Sequence, residues 1–468
     1  MVITLAVAVL AAGAAPLQVS GDPEARIEWT RVISSPENDW MNDVILLRNG
    51  NVAAAGFIGR RDDPPSEWSA VVAEIDRNGR LVRQNDYGAG SGIDAFFGML
   101  EAPDGRRVLA GFTSRIGHGG IDGLSVIANP DGSVAREEPH GGAGYDRFTD
   151  VAPAGDGFLF LGHSQTAHSD KRRIFLVKTD REGRKLWERI HDAPESWGAL
   201  YIEPAPGCGF IISGGTSTGG NSDMFAMKID GEGRELWRKR SGMPDWNEIN
   251  HGLVVRPDGE IVLVGYANRG GGPNDVVAAT LNADGETVRI ERWGGSADDR
   301  AILARADAND RIWIVGHTAS AGAGGDDAFV TSLDAKGAFE GGAVILGGAA
   351  DDRGTAILPM SDGSLIVAGY SRSLGPAGED AFVLRLTEPS RPPHAHFRRE
   401  VVRAPFTTTW LPWRTRTSCS ATNSPLRIAH RSSASANSDS PDSSWSKCPP
   451  LRCRSAMRSV RICSTRSS

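Results

Sequence analysis

One glycine column constrains this chain more than any other feature. Gly56, Gly111, Gly162, Gly214, Gly265, Gly316 and Gly369 recur at intervals of 51 to 55 residues, each closing a short apolar run such as RVLAG, FLFLG, IVLVG or IWIVG. A second column (Gly79, Gly132, Gly183, Gly233, Gly285 and Gly337) follows the next run, with Asp or Asn three residues before each: Asp76, Asn129, Asp180, Asp230, Asn282 and Asp334. That pairing reads as a tight turn: the Asx side chain starts it and a left-handed glycine completes it. Between the turns lie four short runs per copy. One such unit makes a four-stranded antiparallel sheet that cannot bury both faces alone and must stack on its copies. A period near 52 repeated seven times predicts a seven-bladed, all-β propeller over residues 27–388.

The two ends of the repeat carry complementary defects. Ile27–Ile33 (IEWTRVI) looks like a fourth strand without its own first three, with Trp29 in the register of Trp187 and Trp237. The last copy stops at Leu386 with no fourth run. The amino-terminal strand is therefore expected to complete the last blade, which joins the chain ends and removes an exposed edge.

Residues 294–337 (GGSADDRAI, DRIWIVGHTAS, GGDDAFVTSLDAKG) and 346–386 (LGGAADDRGTAI, DGSLIVAGYS, EDAFVLRL) resemble the SBBP-type β-propeller repeats of bacterial secreted and envelope proteins. The resemblance implies export and a binding or structural role, with no shared catalytic residues. The segments DREGRKLW (180–187) and GEGRELW (231–237) also resemble quinoprotein-type propeller repeats, whose tryptophans dock neighbouring blades. The body lacks that family's vicinal Cys pair: Cys208 is its one cysteine, so no disulfide can form within it.

The flanks differ in kind. Residues 1–20 hold a short apolar run (ITLAVAVLAAGAA) ending in the A-x-A pattern Ala12-Gly13-Ala14, the pattern of a signal peptide. A secreted, periplasmic or cell-envelope location follows as the expectation. The run is too short for a comfortable membrane span. Residues 391–468 carry 14 Lys/Arg against three acids, about +11, which leaves about −18 for the rest of a chain of formal charge −7. This stretch has no glycine and no period, and scatters Trp and Cys among Arg, Ser and Pro. It reads as a low-complexity basic tail, disordered or the product of a lost reading frame, without which the ring is complete. So acidic a body disfavours nucleic acid as a partner.

Two acidic columns are the candidate site. Just before the innermost strand stand Asp39, Asp94, Asp146, Glu248, Asp299 and Asp352; at the start of the third strand stand Asp122, Asp223, Asp275, Asp327 and Asp380. Both columns belong on one face of the disc. They are read either as acceptors for backbone N–H groups in the loops or as a ring attracting a cation or basic ligand, Ca²⁺ included. The loops lack EF-hand spacing, and no cofactor is called for. Phe57, Phe112, His163, Gly215, Tyr266, His317 and Tyr370 follow the first glycine column and read as blade-to-blade packing. His118, His140, His191 and His251 are assigned to loops. No G-x-S-x-G, HExxH or P-loop motif occurs, so no catalytic residue is singled out. The expectation is an exported, monomeric, non-catalytic binding or scaffold propeller for a protein, glycan or small ligand. The alternatives are a hydrolase or lyase acting on an extracellular polymer, and a quinoprotein-like electron carrier.

Overall fold

The computed structural model describes residues 17–60, 67–88, 92–169, 171–192, 195–217, 221–375, 378–389 and 397–402. Residues 1–16 of the leader expected over residues 1–20, and the tail beyond residue 402, lie outside the described residues, as does all of the second compact unit, Pro412–Ser468.

Seven antiparallel sheets follow one another along the chain. Blade one is typical: Asp39–Leu46, Val52–Arg60, Glu67–Ile75 and Leu81–Tyr87, paired in sequence order. The middle strands are buried along their whole length, as in Arg107–Thr113 and Asp122–Ala128 of blade two, because a neighbouring blade covers each face. This is why they read as continuous apolar runs rather than alternating ones. Outer strands such as Leu81–Tyr87 alternate exposed and covered residues. The ring closes as expected: Ile27–Ile33 pairs with Asp380–Leu386, from Ile27 opposite Leu386 to Ile33 opposite Ala381.

Tryptophans pin successive blades together. The Trp29 ring lies over the turn glycine Gly79 of blade one, Trp187 over Gly233 and Trp237 over Gly285; a Cβ on any of these glycines would come within 2.5–2.6 Å of indole carbons. The same glycines have φ of 78°, 73° and 79°, the left-handed conformation that the Asp-x-x-Gly pattern predicts. Both demands exclude a side chain there.

Two strands were not expected. Gln18–Ser20 pairs with Val344–Gly347 on the outer edge of blade six, and Arg398–Val402 pairs with Thr287–Gly294 on the outer edge of blade five. The second corrects the reading of residues 391–468 as wholly without structure: its first part carries an F-x-R-x-V alternation that suits an edge strand.

Candidate functional site

The first glycine column acts through close approach, not through φ. A Cβ on Gly56, Gly111, Gly162, Gly214, Gly265, Gly316 or Gly369 would stand 1.8–2.0 Å from a carbonyl oxygen of the innermost strand. At that point each innermost strand carries a β-bulge, for example between Met41 and Asp43 or between Ala301 and Leu303. The seven extra residues are Asn42, Phe97, Thr149, Leu200, His251, Ile302 and Thr355, and all of them line one cavity of about 320 Å³ at the centre of the ring. The repeat thus uses a glycine to admit a bulge, and the bulge turns one residue per blade into the channel. His251 is such a residue; its assignment to a loop is corrected here.

Towards the starts of the innermost strands, Arg147, Arg300 and Arg353 line the cavity with Trp40, Tyr266, His317 and Tyr370. Trp40 and Tyr370 stack with centroids 4.4 Å apart, and His251 stacks on Tyr266 at 5.4 Å. Arg300 lies over the Tyr266 ring and pairs with Asp298 at 2.8 Å; Arg353 pairs with Asp326 at 2.5 Å. Arg147 lies 5.4 Å over Phe97 and has no carboxylate within ion-pair distance among the described residues. Its Nε, like those of Arg300 and Arg353, is buried without a hydrogen-bond acceptor. Burial works against the Arg147 charge and pulls its pKa down. Burial, and then the neighbouring guanidiniums, pushes His317 down to about 4; burial and Arg300 do the same to His251, so both imidazoles are neutral at physiological pH. Three residues of the column read as packing (Tyr266, His317 and Tyr370) are thereby wall residues of the cavity.

The next layer is acidic. Arg305 lies 3.4 Å from Asp43 and 4.0 Å from Glu203. Burial opposes its charge, but Asp43, Asp150 and Glu203 outweigh that and raise its pKa. Asp43 accepts the N–H groups of Val44 and, in the next blade, Met99; Asp150 accepts those of Val151 and Ile202 in the same way. Burial pushes Asp150 up to about 7. These carboxylates are struts between innermost strands, and they leave the cavity with cationic groups at one level and anionic groups at the other.

None of the eleven residues of the two acidic columns lines this cavity. Asp39, Asp94, Asp146, Glu248, Asp299 and Asp352 are all buried, as are Asp122, Asp327 and Asp380; Asp223 and Asp275 are half-buried. Ten of them meet as five pairs across blade junctions: Asp380 with Asp39, Asp122 with Asp146, Asp223 with Glu248, Asp275 with Asp299, and Asp327 with Asp352. Each pair is stitched by one backbone bond of 2.6–2.8 Å, from the first-column N–H to the carbonyl just before the second-column residue. Asp94 has no such partner and lies 3.5 Å from the Arg115 guanidinium. Loop bracing is conspicuous: Asp299 accepts from Gly295 N and Ser320 Oγ, Asp352 from Gly348 N and Ser373 Oγ, and Glu248 from Met243 N. Burial, with a smaller contribution from the paired carboxylate, raises Asp39, Asp122, Glu248, Asp299 and Asp327. Burial is the main cause, taking Asp39 and Asp327 to about 6 and Glu248 to about 8.

No family model matches the sequence, and no curated protein matches it. Among solved structures, Sqt1 of Chaetomium thermophilum is 11% identical, with 75% of this chain and 96% of that chain covered and a TM-score of 0.43. An α-L-arabinanase of Penicillium chrysogenum complexed with arabinobiose is 12% identical, covering 77% and 98%, at a TM-score of 0.40. A gluconolactonase of Xanthomonas campestris is 12% identical, covering 82% and 99%, at 0.34. At these values the likenesses transfer no activity, substrate or partner to this chain.

Proposed function

We propose that this chain is an exported, non-catalytic binding propeller whose central channel takes a small molecule carrying an oxyanion on a sugar or apolar ring. One observation carries the reading: the half-buried Arg147 stands in the channel without a carboxylate partner, its Nε buried without an acceptor, and faces the same cavity as Arg300 and Arg353. An oxyanion would take up the unpartnered N–H groups, and charge-assisted bonds to guanidinium are the strong kind. Trp40, Tyr266 and Tyr370 add aromatic wall beside these groups, and about 320 Å³ suits a ligand of one or two sugar units. This redirects the charge argument. The acidic body favours cations overall, yet the open wall of the channel favours anions. Export rests on the apolar, A-x-A-terminated leader.

The alternative, a hydrolase or lyase acting on an extracellular polymer, has one feature in its favour: Asp43 and Asp150 stand in the same cavity, with Asp150 titrating at about 7. Against it, both oxygens of each carboxylate are held by backbone N–H groups, as structural struts are. A thermal-shift screen of the purified chain against matched acidic and neutral sugars, with product analysis of the same mixtures, separates the two. Stabilisation by the acidic member of a pair without turnover supports binding. Turnover lost in Asp150→Asn overturns the non-catalytic reading, and no preference for acidic ligands overturns the oxyanion site.

A further inference from the structure

We infer that the outer edge of blade five is a strand-docking site with aromatic-x-arginine specificity, and that Phe397–Val402 of this chain is its resident occupant. Open edges occur on other blades, but this one is built to select. The strand Arg398–Val402 runs antiparallel to Thr287–Gly294, from Arg398 opposite Gly294 to Val402 opposite Ile290. Residues two apart on a strand share a face, so Phe397 and Arg399 turn together towards the blade. Phe397 is buried and stacks on the fully buried Trp293 at 4.0 Å and 18°. The Trp293 indole N–H is committed to the Gly341 carbonyl, and Trp293 meets Phe397 through its ring face.

Arg399 supplies the second anchor. Its Nη2 lies 2.7 Å from Glu291 Oε1 and its Nε 3.1 Å from Oε2, a two-point contact to a carboxylate that is itself fully buried. Its Nη1 donates to the Phe339 carbonyl at 3.3 Å, in the segment leading to the outer strand of blade six. Glu291 also accepts from Phe339 N at 3.0 Å. The docked arginine therefore ties blade five to the start of the blade six edge. A lysine could not reproduce the fork, and a neutral side chain would leave a buried carboxylate less well paired. On the opposite face of the strand, Arg292 pairs with Glu400, which fixes register.

The test uses the full chain. In hydrogen–deuterium exchange, the alternate amides of 398–402 that face Thr287–Gly294 are expected to be protected in wild type and to exchange freely in Phe397→Ala/Arg399→Ala, while the blade interiors stay protected in both. A fluorescein-labelled peptide of sequence FRREVV should then bind the double variant and not wild type, whose site is filled. Replacing the peptide's second-anchor arginine by lysine or alanine should weaken binding roughly tenfold or more. Restoring the arginine should recover it. Lack of protection at those alternate amides in wild type overturns the proposal, and so does peptide binding that ignores the arginine. Protection that appears only in a dimer by light scattering overturns the assignment to the chain's own segment.

Discussion

Ring closure can be tested at a single side chain, Trp29. It sits on the amino-terminal strand that completes blade seven, is 9% exposed, covers Gly79 of blade one, and donates its indole N–H to the Arg77 carbonyl at 3.1 Å. Trp29→Ala removes the indole from a site that the rigid neighbouring turn cannot refill. Large aromatic-to-alanine changes in such settings cost about 3–5 kcal/mol. The exposed rim of the ring argues for the lower part of that range, and the lost hydrogen bond adds about 1 kcal/mol. The expected loss is about 4 kcal/mol. Trp187→Ala is the internal control. Trp187 makes the same contact with Gly233 between blades three and four, but it is only half-buried, so its loss should be smaller. Urea unfolding followed by fluorescence and circular dichroism gives the difference, provided the two probes coincide. A loss below about 1 kcal/mol for Trp29→Ala would mean that the first strand can leave the ring at little cost, and the closure argument would fail.

Glu248 provides a pH test. Its folded pKa of about 8 stands above the ordinary 4.5, so the folded state keeps a proton that the unfolded state releases. That contribution is complete below about 4.5 and is lost as pH rises through about 8. Glu248→Gln keeps an acceptor for Met243 N and removes the titration. Its melting temperature should exceed that of wild type by a margin that widens from pH 5 to pH 9; a constant margin would show that the acid does not titrate in this range. Gly316→Ala would place a Cβ 1.9 Å from the Arg300 carbonyl, so the bulge must shift. A stability loss of about 2 kcal/mol or more is expected, together with weakened ligand binding, because Ile302 is the bulged residue and Arg300 stands just before it. Unchanged stability in that variant would separate the glycine column from the bulge.

The architecture was legible because its determinants repeat. Gly79 and its counterparts must be glycine to hold a left-handed turn under a neighbouring side chain, and Gly56 and its counterparts must be glycine to let a bulge pass. The bulge glycine recurs in all seven blades and the turn glycine in the first six, so each leaves a column. The acidic columns left the same kind of trace and the structure gives them a shared local role, at the junctions. The bulged wall of the channel left none. Its residues, Asn42, Phe97, Thr149, Leu200, His251, Ile302 and Thr355, vary from copy to copy, with only Thr149 and Thr355 alike, and the bulge inverts the two-residue alternation that would reveal which side they face. Functional positions in a repeat are those where the copies diverge, and a reading based on what the copies share passes over them. Phe397–Val402 escaped for another reason: an edge strand used once has no period.

The central claim, an oxyanion site in the channel, is tested most directly by calorimetric titration of a sugar acid such as galacturonate into wild type and Arg147→Met, with galactose as the neutral control. Methionine keeps an apolar stem and removes the guanidinium that lies over Phe97. The account predicts saturable binding of the acid to wild type, at least tenfold weaker binding to the variant with an unchanged melting temperature, and little binding of galactose to either. Equal affinity of wild type and variant for the acid, or equal affinity of wild type for the acid and galactose, would contradict it.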